Sequence, residues 1–188
     1  MTSLKSFKGF HVPKIEQKLS ESILSIEAPV VLKEAMNYSL SAGGKRVRPL
    51  FLLAVLDLLK VNHRDAWTVG ATIEMVHTYS LIHDDLPSMD NDDFRRGKLT
   101  NHKVYGEAIA ILAGDGLLTY SFGVLARLSE VTAENKLELI HLLSKAAGAE
   151  GMVGGQVLDV ESERKKVTVE ELETIHINKT GALLSFSI

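Results

Sequence analysis

Apolar residues recur at helical spacing along most of this chain, and no segment alternates convincingly as a strand. That pattern confines it to an all-α fold. Only four prolines interrupt it, at positions 13, 29, 49 and 87. Pro13, Pro29 and Pro49 fall where helices are expected to begin or be separated. Helical periodicity runs from Arg48 to Val61, and again from Ala66 to His83 with Val69, Ile73, Val76 and Ser80 on one stripe. Residues 104–128 are apolar almost all round, which predicts a central, enclosed helix. Further helices are expected over 133–147 and 150–162, and a last one opens with Thr168 and Glu171 at capping-box spacing. A length of 188 residues with 45% hydrophobic content suits one domain over 1–188.

Several classes of function are set aside by composition. A net charge of −3 with no sustained basic face argues against nucleic acid. Zero cysteines exclude disulfides and thiolate metal sites. The run "PLFLLAVLDLLKV" is broken by Asp57 and Lys60, so stable membrane insertion is not expected. The first twenty residues lack an apolar core of signal-peptide length, and the expected location is cytoplasmic.

Chemistry concentrates in residues 77–98, "HTYSLIHDDLPSMDNDDFRRGK", where five aspartates occupy the ten positions 84–93 and two arginines follow. The helix upstream is apolar up to Ile82, so these carboxylates emerge from a buried wall. Clustered carboxylates raise one another's pKa unless a cation lies between them. Hard oxygen ligands of this kind suit Mg²⁺, which keeps waters and bridges to phosphate oxygens. On an unbroken helix Asp84 and Asp90 would point about 120° apart, but Pro87 disfavours helix at Leu86 and lets the end bulge. A calcium loop of the EF-hand type does not fit, because Asn101 stands where a bidentate glutamate is required. A second signal is "SAGGKRVRPLF", residues 41–51. Two glycines free the backbone, Lys45, Arg46 and Arg48 follow, and Pro49 opens a helix, which together make an anion site without the P-loop pattern.

The segments "GGKRVRP", "SLIHDDLPSMDNDDFRRGKLTNHK", "AILAGD", "GMVGGQVLD" and "KTGALL" stand in the order and spacing of the trans-isoprenyl diphosphate synthases, and from about residue 30 onward the chain resembles the bacterial, farnesyl-forming members. The resemblance implies an isoprenoid-synthase helical bundle around a central cavity. It also implies condensation of isopentenyl diphosphate with an allylic diphosphate, assisted by Mg²⁺, in a homodimer. Asp84 and Asp90 match the metal-bearing aspartates, with Asp85 in support, and Arg95 matches a clamp on the allylic diphosphate. Lys45, Arg48, His77 and Arg96 match the isopentenyl diphosphate site, and Lys179 and Thr180 the catalytic pair near the developing positive charge. Tyr79 and Ser80 stand at the chain-length positions.

The residues themselves support part of this. His77 precedes Asp84 by two helical turns. Lys179 shares a stripe with Ile175, Leu183 and Phe186, and Gly181 is placed to loosen the helix and free the Lys179 carbonyl. Asp115 is read as a hydrogen-bonded neighbour of the site, while Gln156 and Asp159 are as easily structural as functional. The family's second aspartate-rich motif does not occur in these residues. Because the last helix stops in mid-pattern, Leu183, Leu184, Phe186 and Ile188 are expected to lack a covering surface, and the chain is expected to be an incomplete bundle with little activity of its own. Two rivals carry less. A metal-dependent phosphohydrolase accounts for the pair His83-Asp84 alone, and a non-catalytic partner subunit has no need of the retained aspartates.

Overall fold

A computed structural model describes residues 3–61, 64–163 and 165–188. The helices are α1 (Leu4–Leu24), α2 (Val30–Leu40), α3 (Val47–Leu58), α4 (Ala66–Asp84), α5 (Asn101–Tyr105), α6 (Glu107–Ala126), α7 (Ala133–Ala147), α8 (Met152–Ser162), α9 (Val169–His176) and α10 (Ala182–Ser185). A two-stranded hairpin, β1 (Phe94–Arg95) and β2 (Lys98–Leu99), is the one sheet among the described residues. The all-α expectation holds, and the hairpin is too short to leave a period-2 signal.

The enclosed helix is α4, not the 104–128 segment. From Gly70 to Ile82 nearly every position of α4 is buried, between α6 on one side and α1 and α3 on the others. Small residues make this possible: a Cβ on Gly70 would stand 3.0 Å from Pro49 Cβ at the α3 crossing. The 104–128 segment is broken at Gly106, whose φ of +84° is one that L side chains rarely adopt. Beyond it, α6 buries one face through Ala110, Ala113, Gly114, Leu117, Ser121, Val124 and Leu125. Its other face leaves Ile111 43% and Leu112 53% exposed, so an apolar composition did not mean enclosure. By length and composition α6 is apolar enough to cross a membrane, but here it lies along α4 and carries Asp115 halfway.

Pro13 lies inside α1 and separates nothing, at the cost of the hydrogen bond that its nitrogen cannot donate to Gly9. Pro29 caps α2 and Pro49 sits in the first turn of α3, as expected. The capping box forms: Thr168 Oγ1 accepts from Glu171 N at 3.2 Å, and Glu171 Oε2 accepts from Thr168 N at 2.7 Å. The expected bare C-terminal surface is corrected in part. Leu183 is fully buried and Phe186 packs on the core, because α10 lies against α7 and α3; Ile188 remains 71% exposed.

Candidate active site

At the end of α4 the chain turns back on itself. Leu86 N donates to His83 O, Met89 N and Asn91 N donate to Leu86 O, and Asp90 N donates to Asp84 O at 2.8 Å. The bulge expected at Pro87 therefore returns Asp90 to Asp84. The five aspartates then divide into two groups. Asp85 is buried and grips Arg95, with Nε at 2.7 and 2.9 Å and Nη2 at 2.6 Å. Asp92 also faces Arg95, at 3.5 Å, and Asp93 pairs with Lys103 at 2.7 Å. Among the described residues, the carboxylates of Asp84 and Asp90 have no hydrogen bond and no close ion pair. Burial above all, with Asp90 and Asp85 nearby, pushes the Asp84 carboxyl above its ordinary range, while Lys179 and Arg95 oppose the rise.

Two unpaired carboxylates are too few to enclose a cation, and no group of three or more His, Asp or Glu side chains suited to a metal occurs among the described residues. Such a donor pair fits a cation that keeps water ligands and takes others from a phosphate, which is the habit of Mg²⁺.

The cations come from two loops. Arg96 (φ +54°) and Gly97 (φ +78°) form the two-residue turn of the hairpin, both with positive φ as a type I′ turn requires. Arg96 donates through Nη1 to Gly43 O, which ties the hairpin to the α2–α3 loop. Gly44 is needed there: its φ is +143°, and a Cβ on it would meet Arg96 Nη1 at 2.7 Å. Lys45 is exposed on the same loop. Arg46 departs from the expected anion site. Its left-handed backbone (φ 50°) turns the side chain inward, where Nη1 meets Glu74 at 2.9 Å and Nη2 donates to Leu40 O at 2.7 Å. Arg48 points to the cavity, and its buried Nε has no protein partner, as suits a donor reserved for an anion. Burial and the neighbouring Arg48, Arg96, Arg95 and Arg46 hold His77 down at about 3.

That depression carries a pH signature. Unfolded chain takes up a proton on His77 below pH 6.5 that the folded protein refuses until about 3. Its contribution to stability is full above pH 6.5 and is lost as pH falls through that window. His77→Gln should therefore flatten the pH dependence of Tm between 6.5 and 4. An unaltered profile in the variant would contradict the burial argument.

A cavity of about 470 Å³ joins these parts. Arg48, His77, Asp84, Lys179 and Thr180 line its polar side; Tyr79, Met89, Ile111, Met152 and Val157 line the apolar remainder, with Ser80 and Gln156 between. Asp90, Lys45, Arg95 and Arg96 are not among its lining residues. Tyr79 is 5% exposed, and burial first, then Asp84, pushes its hydroxyl up to about 12.

Lys179 and Thr180 lie in a π-helical turn, Ile177–Gly181, between α9 and α10. Helices frequently widen this way at functional sites, and the loosening expected beside Gly181 is present. The turn rests on α8. Gly155 abuts the backbone of Lys179 so closely that any Cβ would overlap Lys179 N and Cα. One turn on, Asp159 takes Lys179 Nζ at 2.6 Å. Asp115 corrects an expectation: its side chain is 57% exposed, and its nearest ionic neighbour, His83 Nε2, is at 3.8 Å, too far for a hydrogen bond. That imidazole nitrogen instead lies 3.0 Å from Ile111 O.

Glu74 and Gly155 are the residues missed. The signal for Glu74 was available, as a lone acid between Ile73 and Met75 on an apolar helix. Gly155 lies within the segment GMVGGQVLD, but its role did not show, because a close approach between elements distant in sequence has no local pattern.

The site is thus a helical bundle with a largely apolar cavity that Asp84, Arg48, His77 and Lys179 line on its polar part. Residues 29–188 match the polyprenyl synthetase family, and the chain belongs to it. It is 55% identical over 187 residues to the farnesyl diphosphate synthase of Bacillus subtilis (strain 168), covering 98% of this chain and 63% of that protein. It is 57% identical over 172 residues to the enzyme of the same name from Micrococcus luteus, covering 90% and 59%. The crystal structure of a geranyltransferase from Legionella pneumophila superposes with a TM-score of 0.94 at 38% identity, covering 97% of this chain and 66% of that one. The chain thus spans less than two thirds of the length of the curated relatives described.

Proposed function

We propose that this chain carries the first half of a trans-prenyltransferase site, which condenses isopentenyl diphosphate with dimethylallyl or geranyl diphosphate to give farnesyl diphosphate. The observation that carries the reading is the division of the five aspartates of residues 84–93: among the described residues, Asp84 and Asp90 are the two left unpaired, and Asp84 lines a cavity whose remaining lining is largely apolar. Asp84 and Asp90 would hold Mg²⁺, which when bound supplies neutralisation of the departing diphosphate. Arg95 and Lys179 add cationic hydrogen-bond donors to the allylic diphosphate; Lys45, Arg48, His77 and Arg96 hold isopentenyl diphosphate. His77 serves as a neutral donor.

The allylic C–O bond then breaks with its electron pair going to pyrophosphate. The double bond of isopentenyl diphosphate, held nearby, attacks the allylic carbon, and one proton is lost to complete the product. The Lys179 carbonyl and Thr180 hydroxyl face the cationic carbon, and the apolar wall keeps water from it. No side-chain nucleophile is required. The enzyme is read as a cytoplasmic homodimer, and Leu112, 53% exposed on α6, supplies an apolar contact of the kind pairing would cover.

The test joins residues 1–188 to the C-terminal third of the Bacillus subtilis relative and follows labelled isopentenyl diphosphate. We expect farnesyl diphosphate and one pyrophosphate per bond formed. A folded hybrid that releases phosphate from either substrate alone, without condensation, would point to the hydrolase reading. The 188 residues alone should show little or no turnover, since they supply one carboxylate pair.

Tyr79 sets product length in this reading. It stands five residues before Asp84, about 7.5 Å along α4, and its ring closes the cavity against the growing chain. Tyr79→Ala in the hybrid should shift the product from C15 toward C20, read by chromatography. An unchanged distribution would remove Tyr79 as the floor.

A further inference from the structure

The ion pair between Arg46 and Glu74 belongs to neither substrate. Both side chains are almost wholly inside, 1% and 3% exposed, and Arg46 Nη1 lies 2.9 Å from Glu74 Oε2. Glu16, half exposed, is the other nearby acid, 3.7 Å from Arg46 Nη2. A buried pair of this kind is a poor device for stability, because well-packed apolar residues of similar volume commonly do as well or better. Its position points elsewhere. Glu74 precedes His77 by three residues and so shares its face of α4. Arg46 sits between Lys45 and Arg48 in the cationic loop. The Glu74 charge reaches beyond its partner, favouring the charged forms of Arg48 and Arg96 as well. Arg95 has Asp85 and Asp92 as its own counter-charges, but Arg46, Arg48 and Arg96 otherwise stand around a neutral His77 with no other buried acid beside them among the described residues.

We propose that Glu74 is a built-in counter-anion, which tempers the positive charge gathered around Arg48, Arg96 and His77 and thereby sets how tightly that cluster holds a diphosphate. The inference rests on the cluster being the diphosphate site proposed above. On this account Glu74 is a positioning residue that never touches substrate. Its charge weakens anion binding and in return lets Arg46, Arg48 and Arg96 share one small region of the protein.

Calorimetric titration with inorganic pyrophosphate, free of divalent metal, tests the idea on the 188-residue chain. Glu74→Gln leaves Arg46 uncompensated and should tighten pyrophosphate by about fivefold, from one added charge at roughly 10 Å in a medium between protein and water. Arg46→Met leaves the carboxylate unopposed and should weaken it by about the same factor. The double variant removes both charges and should return to the parent value. A merely structural pair predicts no such order, because both single variants would then weaken binding or leave it alone. Should Glu74→Gln fail to fold, Arg46→Met against the double variant decides, and equal affinities there overturn the proposal. Absence of pyrophosphate binding by the folded parent chain would instead overturn the assignment of the site.

Discussion

Asp84→Asn should make the metal-free protein more stable while it destroys Mg²⁺-dependent binding of geranyl diphosphate. The Asp84 carboxyl is raised above its ordinary value mainly by burial. A carboxyl raised in the fold binds more protons folded than unfolded, so stability falls as pH rises through the window between the unfolded and folded values. Above that window the ionised group weighs against the fold. Asparagine removes the charge at nearly constant shape, and Tm at pH 7.5 in chelator should rise by on the order of 2–4 °C. Loss of a direct ligand should cost about a hundredfold or more in Mg²⁺-dependent affinity. This opposition marks a group kept for function at the expense of stability. A variant that loses stability and keeps its Mg²⁺ response would show that Asp84 is a structural acid.

Gly155→Ala should be strongly damaging. The added carbon would overlap the main chain of Lys179, which belongs to a helical turn and cannot swing away as a flexible side-chain tip can. Overpacking against such a neighbour costs about 3 kcal/mol. That is on the order of 6–12 °C in Tm for a chain of this size. Because α8 also supplies Asp159 to Lys179, the shift should dislodge the Lys179 ammonium and carbonyl together. Gly9→Ala is the control. Nothing lies within 4 Å of its Cβ position in α1, and alanine there should be neutral or stabilising by about 0.5–1 kcal/mol. Equal Tm values for the two variants would refute the close approach of α8 to the π-helical turn.

Much of this site was legible in the sequence because its signals are local. Pro87 announces a bulge without any knowledge of what packs on it. Thr168 and Glu171 announce a helix start, and Gly181 beside Lys179 announces a loosened turn. What failed to show depends on partners distant in the chain. Residues 66–84 and 107–126 are both rich in apolar side chains, and only their packing decides that α4 is surrounded while α6 keeps an open face. Arg46 looked like its neighbours Lys45 and Arg48 until the left-handed turn sent it to Glu74, 28 residues on. Leu183 lacked a visible partner because α3 and α7, which cover it, lie far back along the chain.

The central claim is that Asp84 and Asp90 hold the metal that engages the allylic diphosphate, with Lys179 and Thr180 alongside. Amide NMR of the 188-residue chain tests it directly, with substoichiometric Mn²⁺ in place of Mg²⁺ and geranyl diphosphate present. Paramagnetic broadening should first erase the signals of residues 84–91 and 179–180, and Asp84→Asn should restore them. Broadening that spreads instead over surface acids such as Glu134 and Glu138, or that is indifferent to Asp84→Asn, would contradict the account.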